Sequence, residues 1–148
     1  MESSKKETLE HKQMVVKLMN VFVTELLNRA CSHDNSKLED PEVTLFDEYT
    51  PKLAKCTYGS EEYNQYLKEM KVALDHHYAV NKHHPEHFPN GIKDMNLIDL
   101  IEMICDWKAS TLRHNDGNIL SSIDKNQERF GYSHELAQIL KNTVKIFE

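Results

Sequence analysis

Apolar side chains recur along most of this chain every three or four residues, which is the spacing of one face of an α-helix. The stripe is clearest between about Leu9 and Ala30, where Val15, Leu18, Phe22 and Leu26 follow one another at this interval. No stretch alternates apolar and polar residues as a half-buried strand does. The pattern therefore predicts an all-α fold.

Capping residues, prolines and glycines divide this pattern into five or six helices. Ser60 and Ser133 are typical N-caps, and Asp40 is another because a proline, suited to a first helical turn, follows it. Pro85 should end the helix that Ser60 begins, because the residue before a proline is disfavoured in the helical region. Asp116–Gly117 predicts a further break. The predicted helices are Leu9–Ala30, Asp40–Pro51, Ser60–His84, Asn96–Arg113, Asn118–Phe130 and His134–Phe147.

Length and composition favour one compact globular domain over residues 1–148, with 39% apolar and 28% charged residues. No apolar run approaches the roughly 18 residues of a membrane span, and the polar N-terminus lacks the apolar segment of a secretory signal. Cys31, Cys56 and Cys105 have no metal-binding spacing, so we expect buried, reduced thiols and a cytoplasmic location. The net charge of −6 argues against an extended nucleic-acid surface and leaves the oligomeric state open.

Histidine is the unusual feature of the composition. The chain has 9 histidines, and five of them lie between His76 and His87. Imidazole and carboxylate groups are the common protein ligands of divalent transition metals where cysteine takes no part. Histidines and aspartates recur in the order His11, His33, Asp34, His76, His77, His83, His84, Asp106. This density indicates a metal site.

Taken singly, the early candidates each have a plainer interpretation. His11 continues the apolar stripe of the first helix, where a hydrogen-bonded core histidine is more usual than a ligand. His33 and Asp34 can reach one ion only where the backbone turns, and Asp34 could instead cap a helix. Lys37 lies one helical turn after Asp34, which suits a contact with a substrate phosphate beside a metal.

The paired histidines cannot all serve one ion from a straight helix. His76 and His77 precede His83 and His84 by seven residues, about 10.5 Å of helix, whereas ligand atoms lie about 2 Å from a metal. Either the chain bends before Pro85 and brings the second pair back, or the pairs have different roles, for example at two ions. A solvated helix end is the remaining alternative.

Asp106 lies in the most apolar predicted helix. Asp99, Glu102, Asp106 and Arg113 form one narrow polar wedge on it, flanked by apolar residues on both sides. The wedge is either the outer face of a buried helix or a polar site that faces inward, and periodicity does not decide between them. Asp106 as a metal ligand, supported by Glu102 or Arg113, is the more specific hypothesis.

In this order the motifs resemble the HD-domain superfamily of metal-dependent phosphohydrolases, an all-helical fold with an early histidine, a His-Asp pair and a distant aspartate. The resemblance places His11 first, His33 and Asp34 at the pair, and Asp106 last. The run HDNSK is similar to the frequent HDxGK run of that superfamily and places Lys37 at its lysine. The match extends from His11 to Asp106, roughly two thirds of the chain.

The stretch HHYAVNKHHPEHFPNG also resembles HD-GYP proteins, although the Gly-Tyr-Pro signature is missing and no cyclic-dinucleotide substrate is expected. The same region resembles a small, uncharacterised HD-like family of bacterial and phage type. Ser36 stands where the HDxGK run has glycine, and the interval from His11 to His33 is short. Helices within residues 118–147 are expected to pack on this HD-like domain.

The resemblance implies a phosphohydrolase that acts on a small phosphorylated substrate, with a nucleotide the first expectation, and uses one or two divalent ions of Mn, Fe, Mg, Zn, Co or Ni. It implies Lys37 and His84 as catalytic residues. The expected metal ligands are His11, His33, Asp34, His76, His77 and Asp106. Two alternatives stay open: a di-iron oxygenase of the same superfamily, and a non-catalytic module that binds a nucleotide or a protein.

Overall fold

The computed structural model describes residues 2–57, 60–113 and 117–148, and these residues form helices and turns without a β-strand. The predicted all-α class is confirmed, with seven α-helices in the described residues in place of the five or six expected. The helices are α1 Glu2–Ser32, α2 Glu42–Leu53, α3 Glu61–Glu69, α4 Lys71–Val80, α5 Leu97–Thr111, α6 Ile119–Phe130 and α7 His134–Thr143.

Backbone contacts divide the chain into two units, the first ending at His33 and the second running Asp34–Glu148. The first unit is essentially α1, which is longer at both ends than the apolar stripe predicted, and most of its large apolar side chains are exposed. The second unit contains all the other helices. The prediction of a single domain over residues 1–148 stays a prediction.

The single helix predicted for Ser60–His84 is two helices, and the second ends before His84. It is interrupted at Met70, which separates α3 from α4, and it stops at Val80. No glycine or proline marks the interruption; Met70 is buried there, and α2 packs against both α3 and α4. Tertiary packing has overridden a locally favourable helical sequence.

Side-chain caps account for several helix starts. The hydroxyl groups of Ser60 and Ser133 and the side-chain oxygen of Asn118 accept backbone N–H bonds at the starts of α3, α7 and α6, which confirms the predicted positions. The prediction for Asp40 was wrong: Pro41 occupies the N-cap position, and the Asp40 carboxylate instead accepts from the hydroxyl of Thr44 at 2.8 Å. The predicted break at Asp116–Gly117 includes Asp116, which lies outside the described residues.

The main hydrophobic core of the second unit lies between α5, α6 and α7. Met103 and Ile104 of α5 pack with Ile123 of α6 and with Leu140 of α7, and all four side chains are almost fully buried. The ring of Trp107 packs against the same cluster. This core fixes one face of α5 and leaves its polar wedge on another side.

A second group of contacts joins α2 and α4. Both helices also pack against the 3-10 turn Asn35–Leu38, which lies directly before α2 in the chain. The arrangement brings the start of α2, the C-terminal half of α4 and the residues around Asp34 together. The candidate site lies where these three segments meet.

We expect replacement of Asn96 by alanine to destabilise the second unit by about 1 kcal/mol, the typical value for a lost N-cap. The Asn96 side-chain oxygen accepts from the Asp99 N–H at 3.0 Å, and the Asp99 carboxylate accepts from the Asn96 N–H at 3.0 Å, so α5 begins with a reciprocal capping box. Urea unfolding followed by the fluorescence of Trp107 measures the change. Asn96→Ser, which keeps a capping oxygen, should lose much less, and equal losses in both variants would contradict this role.

The sequence predicted buried cysteine thiols and no membrane-spanning segment. The three cysteines are free thiols, but only Cys56 is even half-buried; Cys31 and Cys105 are exposed, so the prediction of buried thiols was wrong. Within the described ranges no helix combines the length and apolar character that a membrane span requires.

Candidate metal centre

Asp34 lies in a tight turn that the backbone makes before the 3-10 segment. Its φ of 56° is in the left-handed region, which asparagine and aspartate tolerate better than other non-glycine residues. Its carboxylate does not cap the following segment; Oδ2 instead accepts from Lys37 Nζ at 2.6 Å. The other oxygen, Oδ1, faces the histidines of α4 and of the turn after it.

Asn81 ends α4 and turns the chain. Its side-chain amide donates to the His77 carbonyl at 2.9 Å and to the Ser36 hydroxyl at 2.8 Å, which replaces the helical continuation with bonds to a neighbouring segment. Pro85 then holds His84 in an extended conformation. His83 and His84 therefore lie after the helix and fold back towards His77, which is the first of the alternatives that the sequence left open.

Four side chains converge as a result: Asp34, His77, His83 and His84 each offer one ligand atom, and these atoms all lie within 4.8 Å of one another. The Nε2 atoms of His77 and His84 are 2.8 Å apart. Oδ1 of Asp34 lies 3.4 Å from Nε2 of His77 and 3.4 Å from Nε2 of His83. Because His77 and His83 are buried, their ring orientations are set by the protein interior.

Carboxylates lie on the far sides of two of these rings. Nδ1 of His77 is 2.8 Å from Oε2 of Glu42, and Nδ1 of His83 is 3.1 Å from Oε1 of Glu102. An ionised carboxylate only accepts hydrogen bonds, so the contact with Glu42 favours the tautomer of His77 with hydrogen on Nδ1 and the lone pair on Nε2. The amide nitrogen of Asn81 also lies 3.0 Å from this Nδ1. Both Nε2 atoms lie 3.4 Å from Oδ1 of Asp34, so each ring has a carboxylate near Nδ1 and a candidate ligand near Nε2, as in carboxylate–histidine–metal triads.

The spacing of these atoms fits a bound cation. Ligand atoms about 2.0–2.1 Å from one ion are about 2.9 Å apart at right angles and about 3.4 Å apart in a tetrahedron. The measured separations of 2.8 and 3.4 Å bracket this range. The group Asp34, His77, His83 and His84 could therefore hold a metal ion.

The environment also keeps the rings in their metal-binding protonation state. Burial, reinforced by His83 and His77, lowers the pKa of His84 to about 3, although Asp106 and Asp34 act in the opposite direction. Burial, together with the positive charge of Lys37, also lowers the pKa of His77. Both imidazoles are neutral at pH 7, and neutral imidazole is the form that binds a metal.

The polar wedge of α5 faces inward over most of its length, which answers the question that periodicity left open. Asp99 is buried in the capping box, and the side chain of Glu102, only 10% exposed, contacts His83. Asp106 is half-buried, and its charge partly opposes the lowering of the His84 pKa by burial. Arg113, at the end of the wedge, is exposed.

The predicted site residues are placed as follows. Asp34 and His77 belong to the convergent group, and so does His84, which had been expected to act on the substrate. Nδ1 of His76 contacts Glu42 at 2.7 Å instead. Lys37 forms an ion pair with Asp34, and its predicted contact with a substrate phosphate stays a prediction. The metal-binding roles predicted for these residues stay predictions.

Two of the predicted ligands, His11 and His33, belong to the first unit. His11 is exposed on α1, and His33 is half-buried in the turn that follows this helix. Their roles as ligands stay predictions, as does that of Asp106. His87 contacts the Tyr78 carbonyl through Nδ1 at 3.0 Å.

Comparison with known proteins adds a family but no activity. A model of one protein family, described as a family of unknown function (DUF5662), matches residues 1–148. The chain belongs to this family. No curated protein matches the chain, and no solved structure does.

Sequence reasoning missed Glu42 entirely and left the role of His83 undecided. A glutamate in the first turn of a helix is common because it complements the helix dipole, so Glu42 carried no separate signal. His83 could be identified only once the end of α4 was known, because its ring direction depends on the turn at Asn81.

Proposed function

We propose that the chain is a metal-dependent phosphohydrolase whose ion is held by Asp34, His77, His83 and His84. The observation that carries the proposal is the convergence of three imidazole nitrogens and one carboxylate oxygen, all within 4.8 Å of one another. Paired carboxylates behind His77 and His83 support a preorganised metal site rather than a chance histidine cluster.

The donor set favours some ions over others. Three imidazoles and one carboxylate suit zinc, iron, cobalt, nickel or manganese, whereas magnesium prefers oxygen ligands and keeps several waters. When bound, such an ion lowers the pKa of a coordinated water from 15.7 towards about 7 and polarises a phosphate oxygen. A second ion, as the sequence prediction allowed, would need ligands in addition to these four.

Lys37 supports phosphate chemistry in particular. Its ammonium group lies 2.6 Å from Oδ2 of Asp34, so it is held beside the proposed metal ligands without joining them. The side chain is 38% exposed, which leaves it accessible to a substrate. A fixed positive charge at this position would neutralise charge that develops on a phosphoryl group. A nucleotide remains the first substrate to test.

The direct test starts with elemental analysis of the purified protein. The protein is then stripped with a chelator, reloaded with Zn²⁺, Mn²⁺, Fe²⁺, Co²⁺ or Ni²⁺, and screened for phosphate release from nucleoside mono-, di- and triphosphates. We expect hydrolysis that requires the ion and is lost in His77→Ala. Phosphate release by the stripped protein, or full turnover by His77→Ala, would contradict the proposal.

Replacing Lys37 by alanine should lower kcat by about 100-fold or more while leaving the metal content unchanged. Removing one group that stabilises developing negative charge typically costs about 10²–10³ in kcat. Lys52→Ala is the matched control, because Lys52 is a lysine of similar exposure that pairs with Glu48 on α2. Equal turnover in the two variants would show that Lys37 has no role in the reaction.

A further inference from the structure

Glu42 is a completely buried carboxylate, and its loss of hydration must be compensated by hydrogen bonds. Its exposed fraction is 0%, and a carboxylate placed in the interior costs several kcal/mol unless it is well hydrogen-bonded. Three groups supply the bonds: Oε1 contacts Nδ1 of His76 at 2.7 Å, and Oε2 contacts both Nδ1 of His77 at 2.8 Å and the hydroxyl of Ser36 at 3.0 Å. Both carboxylate oxygens are therefore used.

The two histidines are neighbours on α4, so their side chains leave the helix about 100° apart. One carboxylate spans the gap, with a different oxygen for each ring. An ionised Glu42 only accepts, so its two contacts favour hydrogen on Nδ1 of both rings. For His77 the contact with Glu42 outweighs the longer one from the Asn81 amide nitrogen at 3.0 Å, and Nε2 faces Asp34 and His84.

His76 has a different position from His77. Its side chain is 40% exposed, and its Nδ1 is engaged by Glu42. It also lies outside the group of four ligand atoms found in the described residues. The contact suits a residue that holds the carboxylate from the solvent side.

We propose that Glu42 is a positioning residue that fixes His77 as a metal ligand, and that His76 holds this carboxylate in place from the other side. The inference rests on the proposed metal site, but not on the hydrolytic reaction. It assigns a role to a residue that had no signal in the sequence. It also replaces the expected ligand role of His76 with a supporting one.

The test is the affinity of the full chain for Co²⁺ and Zn²⁺, measured by competition with a chromogenic chelator, in wild type and Glu42→Gln. In glutamine an NH2 donor replaces one of the two oxygens, so the side chain cannot accept from both rings in this geometry, and it lacks the charge that polarises the His77 N–H. We expect a 10–100-fold weaker affinity, the usual loss for such partners, with a changed Co²⁺ absorption spectrum. Glu48→Gln on the same helix, where the side chain is 52% exposed, should change neither property.

A second pair of variants separates positioning from general stability. Asparagine carries its amide nitrogen about where imidazole carries Nδ1, so His76→Asn can still donate to Glu42, whereas His76→Ala cannot. We expect His76→Ala to weaken Co²⁺ binding and His76→Asn to restore it, with wild-type Trp107 fluorescence in both. Histidine ¹⁵N chemical shifts should show the Nδ1–H tautomer of His77 in wild type and its loss in Glu42→Gln.

The possible failures are distinguishable. If wild type binds neither Co²⁺ nor Zn²⁺, the proposed metal site is wrong. If wild type binds and Glu42→Gln binds as tightly with the same Co²⁺ spectrum, the site stands and the role of Glu42 is refuted. If His76→Asn and His76→Ala behave alike, His76 does not hold the carboxylate.

Discussion

Replacement of His84 by alanine is expected to raise the dissociation constant for Zn²⁺ or Co²⁺ by more than about 100-fold. The loss of an outer-shell partner alone costs about 10–100-fold, and His84 is a proposed direct ligand whose Nε2 lies 2.8 Å from that of His77. Isothermal titration of the chelator-stripped protein measures the change. Glu42 contacts His77 and Glu102 contacts His83, so the removal of His84 leaves both carboxylates with these histidine partners.

His87→Ala is the matched control, since His87 lies in the same turn region but contacts the Tyr78 carbonyl. It should bind the ion as wild type does. The same ion should also stabilise wild type against unfolding, by about 2.7 kcal/mol when its concentration is 100 times the wild-type dissociation constant, and should stabilise His84→Ala by less than about 0.4 kcal/mol at that concentration. Wild-type affinity in His84→Ala would remove this residue from the site.

The same titration can decide the ligand predictions that the structure leaves untested. His11→Ala, His33→Ala and Asp106→Ala each remove one residue that the sequence order assigned to the metal. A variant that loses affinity as strongly as His84→Ala belongs to the ligand set. One that binds normally does not, and the resemblance to the HD-domain superfamily would then fail at that position.

Local chemistry made several parts of the fold predictable from the sequence. Ser60, Asn118 and Ser133 cap their helices with their own side chains, so a few neighbouring residues decide where those helices begin. The interruption at Met70 has no such signal. It depends on how α2 packs against α3 and α4, which is a relation between segments distant in sequence.

The candidate site, too, could be predicted only where local residue chemistry was enough. The sequence identified imidazole-rich segments and Asp34, because residue chemistry is visible there. It could not show that His83 and His84 return to His77, since the turn depends on the bonds from Asn81 to His77 and Ser36. Glu42 was invisible for the same reason: its role comes from contacts with residues 34 and 35 positions away in the chain.

The second large effect is expected in the core, where Ile123→Ala should destabilise the second unit by about 2–5 kcal/mol. Ile123 is 0% exposed on α6 and packs in the cluster formed with α5 and α7. Its truncation removes buried apolar surface and leaves a cavity that the close-packed neighbours fill only in part. In urea, followed by Trp107 fluorescence, the midpoint should fall by roughly 1–2 M.

Ile139→Ala on α7 provides the matched control, because the same substitution there removes a side chain that is 59% exposed, and surface changes stay within about 0.5 kcal/mol. A loss in Ile139→Ala as large as that in Ile123→Ala would contradict the assigned core. Folded Ile123→Ala should still bind Co²⁺ as wild type does, because Ile123 contributes no ligand atom and its cluster is distinct from the proposed ligands. Unchanged Co²⁺ affinity in a destabilised protein would show that the core affects stability and not metal binding. The substitutions at Glu42 and His84 should change the Co²⁺ affinity itself.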